Sequence, residues 1–151
     1  MSSPMCPFDV FLVCNYAVLL PWALLVGFPT SPWTTRIVHS LTIPLLLAGV
    51  YVWAFMALPQ MPAGGGFSSL EGVMKLFSDP YAVLAGWVHY LVFDLFVGAW
   101  EVRDSQRLGI SHGYVVPCLL FTLMLGPIGL GLYLLVRVVL RGQAGLAEQG
   151  V

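Results

Sequence analysis

The sequence predicts an all-α membrane protein: a four-transmembrane-helix bundle with a short interfacial amphipathic helix between helices 2 and 3. The chain of 151 residues is 59% hydrophobic and only 9% charged, whereas about 25% of a typical soluble domain is charged. Four apolar runs each reach the roughly 20 residues that a helix needs to cross a bilayer. Because so few charges cannot cover the surface of a soluble globule, we expect an integral, multi-pass membrane protein.

Composition excludes several other classes of protein. The net charge is −1 without a basic stripe, which argues against nucleic-acid binding. Cys6, Cys14 and Cys118 lack CxxC or CxxH spacing, so we expect apolar packing residues rather than disulfides or a zinc knuckle. The first ten residues contain no Lys or Arg, so we expect neither a signal peptide nor a transit segment.

The first two spans are predicted at residues 8–28 and 34–58. Pro21 and Pro44 lie inside them and should bend both helices. Ser31 can cap the second helix, because a proline follows it at the first helical position.

A short amphipathic helix is predicted at residues 67–78, after a loop with two prolines and three consecutive glycines. Glu71 and Lys75 form an i,i+4 pair opposite its apolar face. Ser68 and Glu71 have the spacing of a capping box. We expect this helix to lie at the membrane interface, either as a connector or as a lid over a lipid-facing opening.

The third span, residues 80–103, is the helix around which we expect the bundle to be organised. Asp79 and Pro80 begin it in N-cap, N1 order, and it has no internal proline. The fourth span is predicted at residues 114–140, with a bend at Gly126–Pro127. Residues 1–151 would then form a single four-helix membrane domain.

Four spans would place both termini on one side of the membrane. Three basic residues would then lie on each side, so the positive-inside rule leaves the orientation undecided. The two sets are Lys75, Arg137 and Arg141 on the side of the termini, and Arg36, Arg103 and Arg107 on the opposite side.

Ionisable side chains within the third run indicate a functional site. Such groups cost about 2.5–3.5 kcal/mol each on membrane-insertion scales, so they tend to face a protein interior. At 100° per residue, Asp94 and Glu101 lie within about 20° of one line, with Asp104 close to Glu101. His89 lies about 140° around from Asp94, on another face or at a contact between subunits. The acidic stripe also includes Trp87, Tyr90 and Gly98.

Burial in hydrocarbon favours the neutral form of a carboxyl group. Asp94, the deepest acid of the predicted span, would therefore act as a general acid. It could protonate an alkene or an epoxide oxygen, with a nearby carboxylate or histidine taking a proton back.

Two other interpretations of the acids stay open. Glu101 and Asp104 could bind a metal with ligands from other helices, but no HExxH or Glu-x-x-His motif supports this, and we expect no metal or other cofactor. Those further ligands would be His39, His112 or Asn15. Alternatively, Glu101, Arg103, Asp104 and Arg107 form only a charged cap at the interface, with local ion pairs.

Polar residues of the first two spans also have alternative roles. Arg36 and His39 share one helix face. Either Arg36 extends to the headgroups while His39 lies at the interface, or both point towards a ligand. Asn15 would form an interhelical hydrogen bond or line the site.

The segments HYLVFDLFVGAWEVRDSQRLGI and HGYVVPCLLFTLMLGPIGLGLYLL resemble the abscisic-acid-deficient-four family of small four-helix membrane proteins. Plant members of that family are needed to make the xanthophyll neoxanthin. The resemblance is tight over residues 87–135. The residues that carry it are His89, Asp94, Trp100, Glu101, Asp104 and Arg107, with Gly126–Pro127 in the last helix.

The resemblance implies conversion of violaxanthin to neoxanthin, in which an epoxide opens and an allene forms without net redox change. We therefore expect an intramembrane carotenoid-modifying isomerase, or alternatively a non-catalytic carotenoid or lipid binder or scaffold. The expected catalytic residues are Asp94, Glu101, Asp104 and His89. The expected substrate-binding residues are Trp87, Tyr90, Asn15, Arg36, His39, Trp100 and Arg107.

The expected partners are the membrane lipid bilayer and a carotenoid or other long apolar lipid, with a homo-oligomer as a further option. The expected location is a bacterial inner membrane or a thylakoid-type membrane.

Overall fold

A computed structural model describes residues 6–58 and 60–146, and these form eight α-helices and no strand. The helices are α1 (Pro7–Ala17), α2 (Leu19–Gly27), α3 (Pro32–Ile37), α4 (Thr42–Met56), α5 (Leu70–Leu76), α6 (Pro80–Arg107), α7 (His112–Leu125) and α8 (Pro127–Arg141). The predicted all-α class is thus confirmed for this part of the chain. The parts of the predicted termini and loop at residues 1–5, 59 and 147–151 lie outside the described residues.

Three helical segments of the described chain are long and apolar enough to cross a membrane. They are Pro7–Gly27, Pro32–Met56 and Pro80–Arg107. The third contains the predicted span at residues 80–103 and continues as one helix to Arg107. His112–Leu125 is apolar but shorter. The predicted count of four spans is therefore not confirmed.

Prolines explain where the first two segments are interrupted. α1 ends at Ala17, four residues before Pro21, and the gap between α3 and α4 contains Ser40, four residues before Pro44. A proline ring clashes with the carbonyl four residues earlier. One helix therefore ends there and the next begins with proline at its third position.

Two of the predicted helix caps are present and a third is displaced. The Ser31 and Asp79 side chains accept hydrogen bonds from the N–H two residues on, at 3.2 and 2.8 Å. In the short helix α5, Ser69 and not Ser68 is the cap, and it accepts from Gly72 N at 3.1 Å. The predicted capping box was wrong by one residue, because α5 begins later than the box requires.

The fourth predicted run, residues 114–140, is not one helix. α7 and α8 pack against each other, and a Cβ added to Gly129 would lie 2.0 Å from the Thr122 amide nitrogen. In a continuous helix, residues seven apart are about 10.5 Å apart along the axis. At the end of α8, Arg141 donates to the carbonyl of Gly109, just before α7 begins. α8 therefore runs back along α7 as an antiparallel hairpin.

Gly126 makes this reversal possible. Its φ of 39° and ψ of −92° belong to a region that glycine enters without a steric penalty. Pro127 then begins α8 with a pre-set φ and without an N–H that would need a partner. The predicted bend at this pair is thus a complete change of direction.

The chain divides into two compact units. The first comprises Met1–Leu20 and Ser40–Phe93, and the second comprises Pro21–His39 and Asp94–Val151. Each has its own buried apolar side chains, such as Val88 in the first and Leu119 in the second. A single domain stays a prediction, and each unit is described below by itself.

Gly129→Ala should lower the free energy of unfolding by about 1–3 kcal/mol, the usual cost of overpacking, because its Cβ would meet the backbone of α7. Gly131→Ala is the matched control, since nothing lies within 4 Å of its added Cβ and alanine favours a helix. Thermal unfolding in detergent measures both variants. Equal stability would contradict the hairpin.

Candidate functional site

Asp104 lies at the centre of a buried polar cluster in the second unit. It is only 2% exposed, and its Oδ2 accepts a hydrogen bond from the Tyr133 hydroxyl at 2.7 Å. Arg137 Nε lies 3.0 Å from the same oxygen, and Arg107 donates to Oδ1 at 2.6 Å. Two arginines and a tyrosine therefore hold this carboxylate in place.

Arg137 is as buried as the acid it neutralises, at 1% exposure. Its Nε is close enough to Asp104 for an ion pair but is not aligned for a hydrogen bond. Its Nη1 has no hydrogen-bond partner among the described residues. Buried arginine is rare unless paired, so this pair ties α8 to α6.

Arg137 was not among the site residues predicted from the sequence. A single, bent fourth span would place Arg137 near its far end, whereas the hairpin returns this residue to the end of α6. One signal was available: Gly129, Tyr133 and Arg137 are spaced by four residues and form one buried face of α8. Trp100, expected to bind substrate, packs its ring edge-on against Tyr133 with centroids 5.4 Å apart.

Glu101 is fully buried in the same unit. Its Oε1 accepts a hydrogen bond from the Thr122 hydroxyl at 2.9 Å, a partner that the sequence analysis did not identify. Its Oε2 is buried without a hydrogen-bond partner among the described residues. The local ion pair expected of a charged cap is present between Asp104 and Arg107, but both acids, Glu101 and Asp104, are buried within the protein.

Asp94 is half-buried and lies beside the turn of the hairpin. A Cβ added to Gly126 would be 2.9 Å from its Oδ1. Gly126 is the N-cap of α8, and the first N–H groups of a helix attract negative charge. The helix terminus therefore gives a structural reason for this acid. Glu101 and Asp104 are more buried within the protein than Asp94, while the depth of Asp94 in the membrane stays a prediction.

Arg36 and His39, which precede α4, lie in the second unit with these acids. His39 Nδ1 and Arg103 Nη1 are 3.0 Å apart. Arg36 is exposed, with its guanidinium carbon 6.0 Å from the centroid of the Trp33 ring, within reach of a cation–π interaction. Arg36 thus fits the interfacial alternative.

The remaining predicted site residues belong to the first unit. The Trp87 indole donates to Asn15 Oδ1 at 3.2 Å, so Asn15 forms an interhelical hydrogen bond. The Trp87 ring also packs against Phe11 and Tyr90, with centroids 5.5 and 5.2 Å apart. His89 is exposed and stacks on Phe93 at 4.4 Å.

The donor set does not fit the metal site considered from the sequence. No group of three or more His, Cys, Asp or Glu side chains lies together within residues 6–58 and 60–146. Asp104 is held by arginine, His39 contacts Arg103, and His112 Nε2 lies 2.9 Å from the carbonyl of Val26.

Arg137→Met should lower the free energy of unfolding by roughly 3–5 kcal/mol, because it removes the fully buried counter-charge of Asp104 and leaves only the partly exposed Arg107. The exposed Arg36→Met is the control and should change stability by less than about 0.5 kcal/mol.

Adding Asp104→Asn to Arg137→Met should recover part of this loss, since the amide needs no counter-ion. Thermal unfolding in detergent measures all variants. Equal stabilities for Arg137→Met and Arg36→Met would show that the buried pair does not hold the unit together.

Comparison with known proteins identifies relatives of this chain. Residues 9–133 match the family described as ABA DEFICIENT 4-like. The chain is 30% identical over 149 residues to the chloroplastic Protein ABA DEFICIENT 4 of Arabidopsis thaliana, covering 89% of this chain and 63% of that protein. No solved structure matches the chain. The family match covers most of the sequence and confirms the resemblance carried by α6 to α8: the chain belongs to the ABA DEFICIENT 4-like family.

Proposed function

We propose that the protein is embedded in a membrane by three spans and a re-entrant hairpin, in place of the expected four-span bundle. α7 and α8 have 14 and 15 residues, or about 21 and 22 Å, which is less than the roughly 30 Å of hydrocarbon. The contact of Arg141 with Gly109 supports a return of α8 to the side where α7 begins.

We propose that α5 lies at the interface, as the sequence analysis expected. Leu70 and Met74 are 72% and 67% exposed, while Glu71 and Lys75 supply the charged face. An amphipathic helix of this kind is stable between headgroups and acyl chains.

The hairpin also changes the distribution of charge. By counting spans, Arg36, Arg103, Arg107 and Arg141 all lie on the side of the α6–α7 turn, and Lys75 lies on the other. The positive-inside rule then places the α6–α7 turn on the cytoplasmic side, or its equivalent in a thylakoid-type membrane.

Single cysteines at Gln106 and Gln143 should therefore be labelled from the same side by a membrane-impermeant maleimide. The background is a variant without Cys6, Cys14 and Cys118, and intact and opened vesicles give the two sides. Labelling from opposite sides would contradict the re-entrant hairpin and restore the fourth span.

We propose that the membrane-embedded protein is an isomerase of a xanthophyll epoxide, with Asp94 as the general acid. The observation that carries this proposal is exposure: of the three acids on α6, Asp94 alone is partly exposed, while Glu101 and Asp104 are buried. Only Asp94 can touch a substrate without a rearrangement of the unit. Membership of the family supports the substrate class.

In the proposed reaction, Asp94 donates its proton to the epoxide oxygen and the C–O bond opens to a hydroxyl. The carbon next to the one whose C–O bond has opened then loses its proton to the Asp94 carboxylate. The electron pair of that C–H bond forms the new double bond that completes the allene. Atoms and electrons balance without an oxidant, since the acid regains the proton it gave. Glu101, hydrogen-bonded to Thr122, would support Asp94 electrostatically, and Asp104 would be structural.

The alternative function is a non-catalytic carotenoid or lipid binder that holds its ligand for a partner enzyme. The observation that favours it is an apolar cavity in the first unit, lined largely by aromatic side chains. Pigment that co-purifies unchanged and gives no product would support this function over the isomerase.

Asp94→Asn should reduce formation of the allenic product from violaxanthin by at least about 100-fold, the usual contribution of general acid catalysis. Asp79→Asn is the matched control on the same helix, because asparagine is an equally good N-cap. Chromatography of the pigments measures the product, and retained pigment measures binding. Full turnover by Asp94→Asn would remove this acid from the mechanism.

A further inference from the structure

The first unit contains a cavity of about 320 Å³ between α4, α5 and α6. This volume lies at the lower end of the roughly 300–1,000 Å³ of small-molecule sites. Its walls are mainly hydrocarbon, and include Phe55, Phe67, Phe77 and Ala85. Such a lining suits an apolar ring better than a charged or strongly polar ligand.

Gly86 determines the shape of one wall. A Cβ added there would lie 2.5 Å from Phe77 Cε1, so the Phe77 ring packs directly on the backbone of α6. The absence of a side chain at Gly86 therefore places an aromatic surface against the helix and leaves the space beside it open.

Two polar side chains interrupt the apolar lining. Tyr51 and His89 both line the cavity, with ring centroids 6.1 Å apart. Stacking on Phe93 at 4.4 Å fixes the His89 ring. Neither the Tyr51 hydroxyl nor the His89 ring nitrogens form a hydrogen bond with the residues that the structure describes. Unpaired polar groups are costly in hydrocarbon, so a ligand oxygen at this wall would be stabilised.

We propose that this cavity binds the oxygenated ring terminus of a long apolar lipid, with Tyr51 and His89 hydrogen-bonded to its hydroxyl group. A phospholipid acyl chain would fill the space but would leave both polar groups without partners. This binding rests on the carotenoid-binding function proposed above but needs no proton transfer by Asp94, so Asp94→Asn should bind the ring terminus as the wild-type protein does.

The test is binding of three probes to the purified protein in detergent: β-carotene, its 3,3′-dihydroxy derivative and dioleoylglycerol. The wild-type protein should prefer the dihydroxy probe to β-carotene by about tenfold, as two hydrogen bonds would give. Dioleoylglycerol, an acyclic lipid with one free hydroxyl group and two acyl chains, should compete poorly. Equal binding of the two carotenoids would overturn the role of the hydroxyl, and equal competition by dioleoylglycerol would overturn the preference for a ring.

Variants locate the binding at this cavity. Tyr51→Phe and His89→Phe should each reduce the preference by about threefold, since each removes one hydrogen bond and keeps an aromatic ring. Ala85→Leu should fill the cavity and abolish binding of both carotenoids, whereas the exposed Ala17→Leu should not. An unchanged preference in both aromatic variants would overturn the proposal, whatever Ala85→Leu does to folding. Loss of turnover in Asp94→Asn with the preference retained would separate this site from the proposed catalysis.

Discussion

The reversal of the chain at Gly126 decides which side chains surround Asp104 in the second unit. A φ of 39° with a ψ of −92° is open to glycine and strained for residues with a Cβ. Since α8 returns along α7, the Tyr133 and Arg137 side chains reach Asp104. In a continuous helix they would lie two or three helical turns beyond Gly126. Without this turn, Asp104 would lose Tyr133 and Arg137 as partners, whereas Glu101 would keep Thr122 of α7.

The three acids of α6 show three ways of placing a carboxyl group in apolar surroundings. Asp104 has an ion pair and a tyrosine hydroxyl, Glu101 has a single hydroxyl from Thr122, and Asp94 lies at the N-terminus of a helix. Of the three acids, only Asp104 is neutralised by a fixed counter-charge. That asymmetry separates a structural acid from those that are able to exchange a proton, and it is the physical basis of the proposed chemistry.

Part of the site followed from helical spacing alone. The period of the α-helix placed Asp94, Glu101 and Asp104 on neighbouring faces and separated His89 from them. The partners of these acids, Thr122, Tyr133 and Arg137, could not be found in this way, because their contacts arise through a loop and a reversal. Likewise, the apolar pattern indicated that Phe55 and Phe77 lie in helical regions but not that they border a cavity.

The sequence by itself determined the helical class, the apolar segments, the positions of the proline breaks and the family, since these depend on composition and on interactions within a few residues. The tertiary structure alone decided that the last apolar run folds back. Hydropathy is summed over a segment and contains no information on the direction in which the chain runs. The backbone dihedral angles of one glycine, in contrast, set the direction of the whole helix that follows. In the proposed topology, the same turn places Arg141 on the membrane side of Arg36, Arg103 and Arg107, and so converts an undecided balance of charges into a proposed orientation.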